Sequence, residues 1–245
     1  MKSLVASCLT MIAIASATPA YAADLRLPTK APPIVASVTN WTGCYVGANI
    51  GGGWAEETYS DPLAVPPDPF ALGSHTASGV IGGGQVGCDY QVGTWVFGAQ
   101  GMFEGTGIKG SHLSPGGDFL ATRIPWFGTA TGRIGYTIQP NLLAYVKGGA
   151  AWKRQDETIT DAVTGLAEGS ASATRWGWVI GGGLEYQFTR NWSVFAEGNY
   201  MDFGTRRITF ANLEIPPVPP TFPLDIRERM WVGMAGVNFR FAPGP

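Results

Sequence analysis

Histidine is nearly absent from this 245-residue chain, which carries only His75 and His112, and charged side chains make up just 14% of it. So few imidazoles leave little for general-base chemistry, and neither histidine nor cysteine spacing marks a metal site. The formal net charge is −2 and there is no basic block, so a nucleic-acid partner has no electrostatic footprint here. Also missing beyond the N-terminal residues is the run of ~20 apolar residues that a membrane-crossing helix needs. What the chain has instead is 35 glycines and 12% aromatic residues. Glycine and aromatics with little charge argue against a helical enzyme and for many strands.

The first residues set the compartment. Lys2 gives a positive start, residues 4–17 are apolar apart from small side chains, and Ala20-Tyr21-Ala22 offers the small-x-small pattern of a cleavage site. This reads as a secretory signal peptide over 1–22, cut after Ala22; a buried N-terminal helix is the alternative. Cys8 lies too near the N-terminus for lipoprotein processing. Residues 23–39 contain Pro28, Pro32 and Pro33 and read as an extended periplasmic leader. Residues 40–241 form the main domain, and 242–245 form a short tail.

From Trp41 onward, eight segments of loosely alternating polarity stand near 41–54, 78–90, 94–104, 121–137, 142–154, 174–188, 192–203 and 227–241. Three connections are turns: Gln91-Val92-Gly93, Ile138-Gln139-Pro140-Asn141 and Thr189-Arg190-Asn191. The other four, 55–77, 105–120, 155–173 and 204–226, are long, and most carry proline. Alternating short turns and long loops are a property of outer-membrane barrels, and a soluble sandwich has no reason to adopt them. The expected fold is all-β: an eight-stranded antiparallel transmembrane β-barrel with short periplasmic turns and four long extracellular loops, in the bacterial outer membrane.

Parity divides each strand into two faces. Trp231, Gly233, Ala235, Val237, Phe239 and Phe241 share one face of the last strand, and Met234, Asn238 and Arg240 the other. The third, fifth, sixth and seventh segments divide likewise. In a membrane the apolar face turns outward, because an Arg or Lys on the lipid side near midplane costs about 2–4 kcal/mol. Glu104, Arg133, Lys147, Arg175, Glu185, Glu197 and Arg240 then point inward. Eight strands leave room only for side chains, so these charges read as a salt-bridged plug, with an ion path as the alternative. Aromatics near the short turns (Trp41, Tyr45, Tyr90, Trp95, Tyr136, Phe188, Trp192, Phe239, Phe241) suit a headgroup girdle.

Asn40-Trp41-Thr42-Gly43-Cys44-Tyr45-Val46-Gly47 resembles the N-W-T-G-x-Y-V-G opening of the small outer-membrane β-barrel and surface-antigen family of alpha-proteobacteria, often labelled porin family. Gly82-Gly83-Gly84-Gln85-Val86-Gly87, Gly148-Gly149-Ala150-Ala151-Trp152, Gly181-Gly182-Gly183-Leu184-Glu185-Tyr186 and Asp202-Phe203-Gly204 follow in family order, and Val237-Asn238-Phe239-Arg240-Phe241 resembles its closing strand. The resemblance spans the mature chain. It implies that Gly236, Phe239 and Phe241 act as an assembly signal for the barrel-insertion machinery. Met234, where a polar residue is usual, and the tail Ala242-Pro243-Gly244-Pro245 depart from that pattern. It also implies outer-membrane lipids and lipopolysaccharide as surroundings, and host or surface ligands at the loops.

Position 44 is commonly aromatic in that family, whereas here it is cysteine. Once Cys8 is removed, Cys44 and Cys88 remain, near the start of the first strand and the end of the second. Antiparallel pairing brings those ends together, so a Cys44–Cys88 disulfide is expected; two free thiols are the alternative.

Gly82-x-Gly84-x-x-Gly87 fits a dinucleotide fingerprint, but the following residues read as strand where that motif needs a helix. No cofactor is implied, and no catalytic constellation is visible. The leading functional expectation is a non-enzymatic, envelope-stabilising and surface-interaction barrel. A narrow pore is the first alternative. A hemin-binding barrel using His75 or His112, and a lipid-A-modifying enzyme, come after it.

Overall fold

The computed structural model describes residues 40–60, 74–113, 118–161, 167–211 and 221–241. The expected signal peptide with its Ala20 and Ala22 cleavage site, the leader 23–39 and the tail 242–245 lie outside the described residues, as do 61–73, 114–117, 162–166 and 212–220 between strands.

Eight strands follow in order: β1 (Gly43–Ser60), β2 (Ser74–Val92), β3 (Trp95–Leu113), β4 (Asp118–Gln139), β5 (Leu142–Asp161), β6 (Ala167–Gln187), β7 (Trp192–Ala211) and β8 (Thr221–Arg240). Each pairs antiparallel with its sequence neighbours, and β1 also pairs with β8, closing the barrel. Closure leaves no row of unpaired backbone groups facing hydrocarbon, where no water could satisfy them. The tightest turn, Gly93-Thr94, places Gly93 at φ 62°, a left-handed conformation that costs glycine nothing.

Burial follows the two-residue period. On β8, Trp231, Val237 and Phe241 are exposed, whereas Met230, Val232, Met234, Asn238 and Arg240 are buried. The outward aromatics form two rows. The lower holds Tyr90, Trp95, Tyr136, Tyr186, Phe188, Trp192 and Phe241 near the short turns; the upper holds Trp54, Phe103, Trp176, Trp178 and Trp231. Ring contacts join neighbours within each row: Trp95–Tyr136 and Trp192–Phe239 below, Phe103–Trp126, Trp152–Trp176, Trp178–Tyr200 and Tyr200–Trp231 above. Trp95 and Phe103 are eight residues apart, and Trp231 and Phe241 ten. At ~3.3 Å per residue and ~40° tilt this is about 20–25 Å, the height of an outer-membrane apolar band.

Two expectations need correction here. Trp41 and Tyr45 do not join the lower girdle; both are buried inside the barrel. Tyr45 shares parity with buried Asn49, and its ring faces the Arg133 and Arg240 guanidinium groups. The strands also run far past the membrane, with 18–22 residues each where ~9–11 suffice. Much of what reads as long loop is paired ladder, including His75 on β2 and His112 on β3. Above the upper row the outward face becomes mostly polar, with Leu113 and Phe119 as exposed hydrophobic exceptions, so the apolar alternation that marks a strand in the sequence fades while backbone pairing continues. Bulges mark the change, between Gly105 and Ile108, Arg123 and Trp126, and Asp202 and Thr205. Gly204, at φ 69°, lies in the last of them, and Pro125, without an N–H, lies in the second.

Candidate functional site

No group of three or more His, Cys, Asp or Glu side chains that could hold a metal ion occurs among the described residues. The chemistry is concentrated in the lumen, which is layered.

At the periplasmic end, four charges alternate in a ring. Arg133 donates from Nε to Asp89 Oδ1 at 2.7 Å and from Nη1 to Glu185 Oε2 at 3.1 Å. Arg240 Nη1 lies 2.8 Å from Asp89 Oδ2, and its Nη2 3.6 Å from Glu185 Oε1. Ser193 and Asn238 donate to Glu185 at 2.6 and 3.1 Å. The guanidinium faces are covered by rings, Arg133 over Tyr45 and Tyr145, and Arg240 over Tyr45 and Trp41. Trp41 closes the end, its indole donating to the Pro140 carbonyl at 3.2 Å and its carbonyl accepting from Arg240 at 2.5 Å. Two cations meet two carboxylates, all nearly fully buried, so the charges cancel at short range.

A polar network continues upward. Asn238 Oδ1 accepts from Gln85 at 2.8 Å; Asn49 donates to both Gln85 and Glu104, each at 2.8 Å. Alongside, Lys147 Nζ reaches Glu197 at 2.5 Å and Gln100 at 3.0 Å, and Glu197 also accepts from Tyr145 at 2.7 Å and Asn199 at 2.8 Å.

Above this the lumen turns apolar. Ile81, Ile108, Ile124, Phe127, Ala151, Val179, Met201, Phe203, Met230 and Val232 pack in one buried cluster. A second charged layer follows. Lys153 pairs with Glu228, and Arg175 lies 3.2 Å from Glu157 and 3.8 Å from Glu228. Gln155 donates to Glu57 at 3.0 Å and Glu157 at 2.8 Å, Thr122 donates to Glu57 at 2.7 Å, and His75 Nε2 lies 3.5 Å from Glu57. The order along each strand fixes the layering: Lys147, Ala151, Lys153 on β5; Glu185, Val179, Arg175 on β6; Asn238, Val232, Glu228 on β8.

All seven inward charges read from the sequence are buried, but in two places. Arg133, Glu185 and Arg240 meet in the lower ring, with Lys147, Glu197 and Glu104 just above, while Arg175 lies beyond the apolar layer. Sequence reasoning missed Asp89, Glu57, Lys153, Glu157 and Glu228. Each shares parity with an inward residue of its own strand: Asp89, Lys153 and Glu228 stand inside the expected segments, and continuing the alternation past the expected strand ends finds Glu57 and Glu157. The apolar layer was also unexpected, because inward Ile, Val and Met break the polar-in pattern only near one level.

Cys44 and Cys88 are directly opposite in register and joined by a disulfide on the outer face at the periplasmic end. Gly236 sits beside the Phe195 ring, and a β-carbon there would fall 2.7 Å from it. Phe239 and Phe241 stack edge to face on the outer wall at the lower row.

Residues 7–239 match the profile of the outer membrane protein beta-barrel domain. The 31 kDa outer-membrane immunogenic proteins of Brucella melitensis and Brucella suis are each 34% identical to this chain over 254 residues, covering 98% of it and all of the relative. Among solved structures, the outer membrane protein OprG of Pseudomonas aeruginosa aligns over 83% of this chain and 98% of its own, at 15% identity and TM-score 0.48. On its sequence match, its closed strand order and its two aromatic rows, this chain belongs to the outer membrane protein beta-barrel domain family and resides in the bacterial outer membrane.

Proposed function

We propose that this protein is a closed, non-conducting, non-enzymatic barrel that stabilises the envelope and presents its extracellular loops to surface ligands. The observation that carries this reading is the apolar layer between two buried charged layers. An ion entering from either side would have to leave polar partners and cross Ile81, Phe127, Val179 and Met201 without water. Conversion to a pore would require that layer to part. The immunogenic label of the Brucella relatives favours surface presentation. His75 faces Glu57 inside the lumen, away from lipid, which disfavours a lipid-A-modifying role. Gly236, Phe239 and Phe241 serve, in this reading, as the signal read by the insertion machinery, and signal peptidase cuts after Ala22. Planar-bilayer recording on the purified barrel tests the proposal: a flat baseline is expected, and discrete, reproducible conductance steps would replace this reading with the pore.

A further inference from the structure

The outward face of β3, β4 and β5 changes character within a few residues above the upper aromatic row. Phe103 and Trp126 stack there at 5.5 Å, and Trp152 meets Trp176 at the same separation. Immediately beyond stand Lys109, Arg123 and Arg154, all exposed. Lys109 and Arg123 are direct cross-strand partners. Directly opposed side chains have β-carbons ~4.5–5.5 Å apart, and like charges so placed repel. Neither has a carboxylate or hydrogen-bond partner among the described residues. Asp156, opposite Arg123 in register, is engaged by Arg154 at 3.1 Å, and Arg154 also donates to Ser172 at 2.9 Å. Three cations and one carboxylate therefore leave a surplus of two positive charges on a chain whose formal net charge is −2.

A β-barrel has no need to hold two unpaired cations side by side unless an anion is shared between them. The position determines which anion. The site lies on the wall and not in the lumen, at the extracellular edge of the apolar band, with flat rings directly beneath it. An amphiphile that brings phosphate to this height and acyl chains to the aromatic row matches both halves. In the outer leaflet that amphiphile is lipid A.

We propose that Lys109, Arg123 and Arg154 bind the phosphate groups of lipid A, whose acyl chains lie over Phe103, Trp126 and Trp152. The proposal rests on the outer-membrane placement already established, and it names a site where that placement gives only surroundings.

The test titrates bisphosphorylated lipid A, dephosphorylated lipid A and phosphatidylglycerol into the detergent-solubilised full chain, read by tryptophan emission. Tightest binding is expected for bisphosphorylated lipid A. Each unpaired cation near an anionic lipid surface is worth about fivefold, so Lys109→Gln, Arg123→Gln and Arg154→Gln together should weaken binding by about tenfold or more. Arg206→Gln with Arg227→Gln, on the opposite wall, should leave it unchanged. Arg123→Gln alone should lose about fivefold and carries the test if the triple variant does not fold. The site is overturned if the triple variant binds as the parent does or if the opposite-wall pair loses as much. It is also overturned if phosphatidylglycerol or the dephosphorylated form binds equally well, or if a heparin fragment displaces lipid A. Heat-modifiability on a gel separates this from the placement: a parent chain that migrates alike boiled and unboiled would overturn the barrel in the membrane, whereas the site fails only through the affinities.

Discussion

The two charged layers of the lumen are built from the same residue types yet solve different problems. The lower ring sets Arg133 and Arg240 against Asp89 and Glu185, one cation for each carboxylate, with rings over the guanidinium faces and Trp41 as a floor. The upper layer sets Lys153 and Arg175 against Glu57, Glu157 and Glu228, with His75 beside Glu57. The lower ring lies level with the lower aromatic row, sealed by the apolar layer above it. The upper layer lies beyond the upper row, on the side of the extracellular loops. Both layers are nearly fully buried, so the difference lies in how each carboxylate is met: by guanidinium groups in the lower ring, and in the upper layer partly by neutral donors, Thr122 and Gln155 on Glu57 and Gln155 on Glu157.

The largest expected effect comes from opening the strict ring. Arg133→Ala strands Asp89 and Glu185 with a single cation, and should destabilise the barrel by about 3–5 kcal/mol in urea titrations in lipid vesicles. Next is the covalent tie of the same half. Cys44→Ser with Cys88→Ser opens a sequence separation of 44 residues, and should cost up to about 2–4 kcal/mol, read in the same titration against the oxidised parent. Arg175→Ala sharpens the comparison. It removes a cation whose carboxylates keep other partners, Gln155 on Glu157 and Lys153 on Glu228, so its cost should be about 1–3 kcal/mol; a loss equal to that of Arg133→Ala would erase the distinction between the layers. The smallest effect lies at the extracellular end, where Arg207 donates to Asp225 at 2.9 and 3.1 Å in full solvent. Those bonds hold the Asp225 carboxyl below its ordinary value of 3.8. The tie therefore favours the paired β7–β8 extension above that value, and is lost as pH falls through the lower folded value. Amide exchange near Arg207 should quicken only on strong acidification, with no change in the urea midpoint of the barrel at neutral pH.

Much of this was legible beforehand, for reasons particular residues make plain. Within the bilayer, lipid forces strict alternation, so Trp231, Val237 and Phe241 separated cleanly from Asn238 and Arg240. The Gly93 and Pro140-Asn141 turns gave the pairing order on the periplasmic side. Legibility failed where lipid no longer selects. Residues such as Thr158 and Ser172 pair as strand with polar side chains outward, so the strand ends were set too early, and Glu57 and Glu157 were left in loops. It failed again at Trp41 and Tyr45, where a girdle residue and a lumen floor have the same composition and only parity tells them apart.

The sequence by itself determined that this is a strand-built chain with one lipid-facing side, because alternation at period two and turn length are local properties that need no knowledge of the partner strand. Tertiary structure alone decided which charges meet. Arg133 finds Asp89 44 residues away and Glu185 52 away, and β1 meets β8 only when the sheet curls shut. Shear and closure bring residues remote in sequence to one level of the lumen, so the apolar layer and the two charged layers exist only as properties of the closed ring.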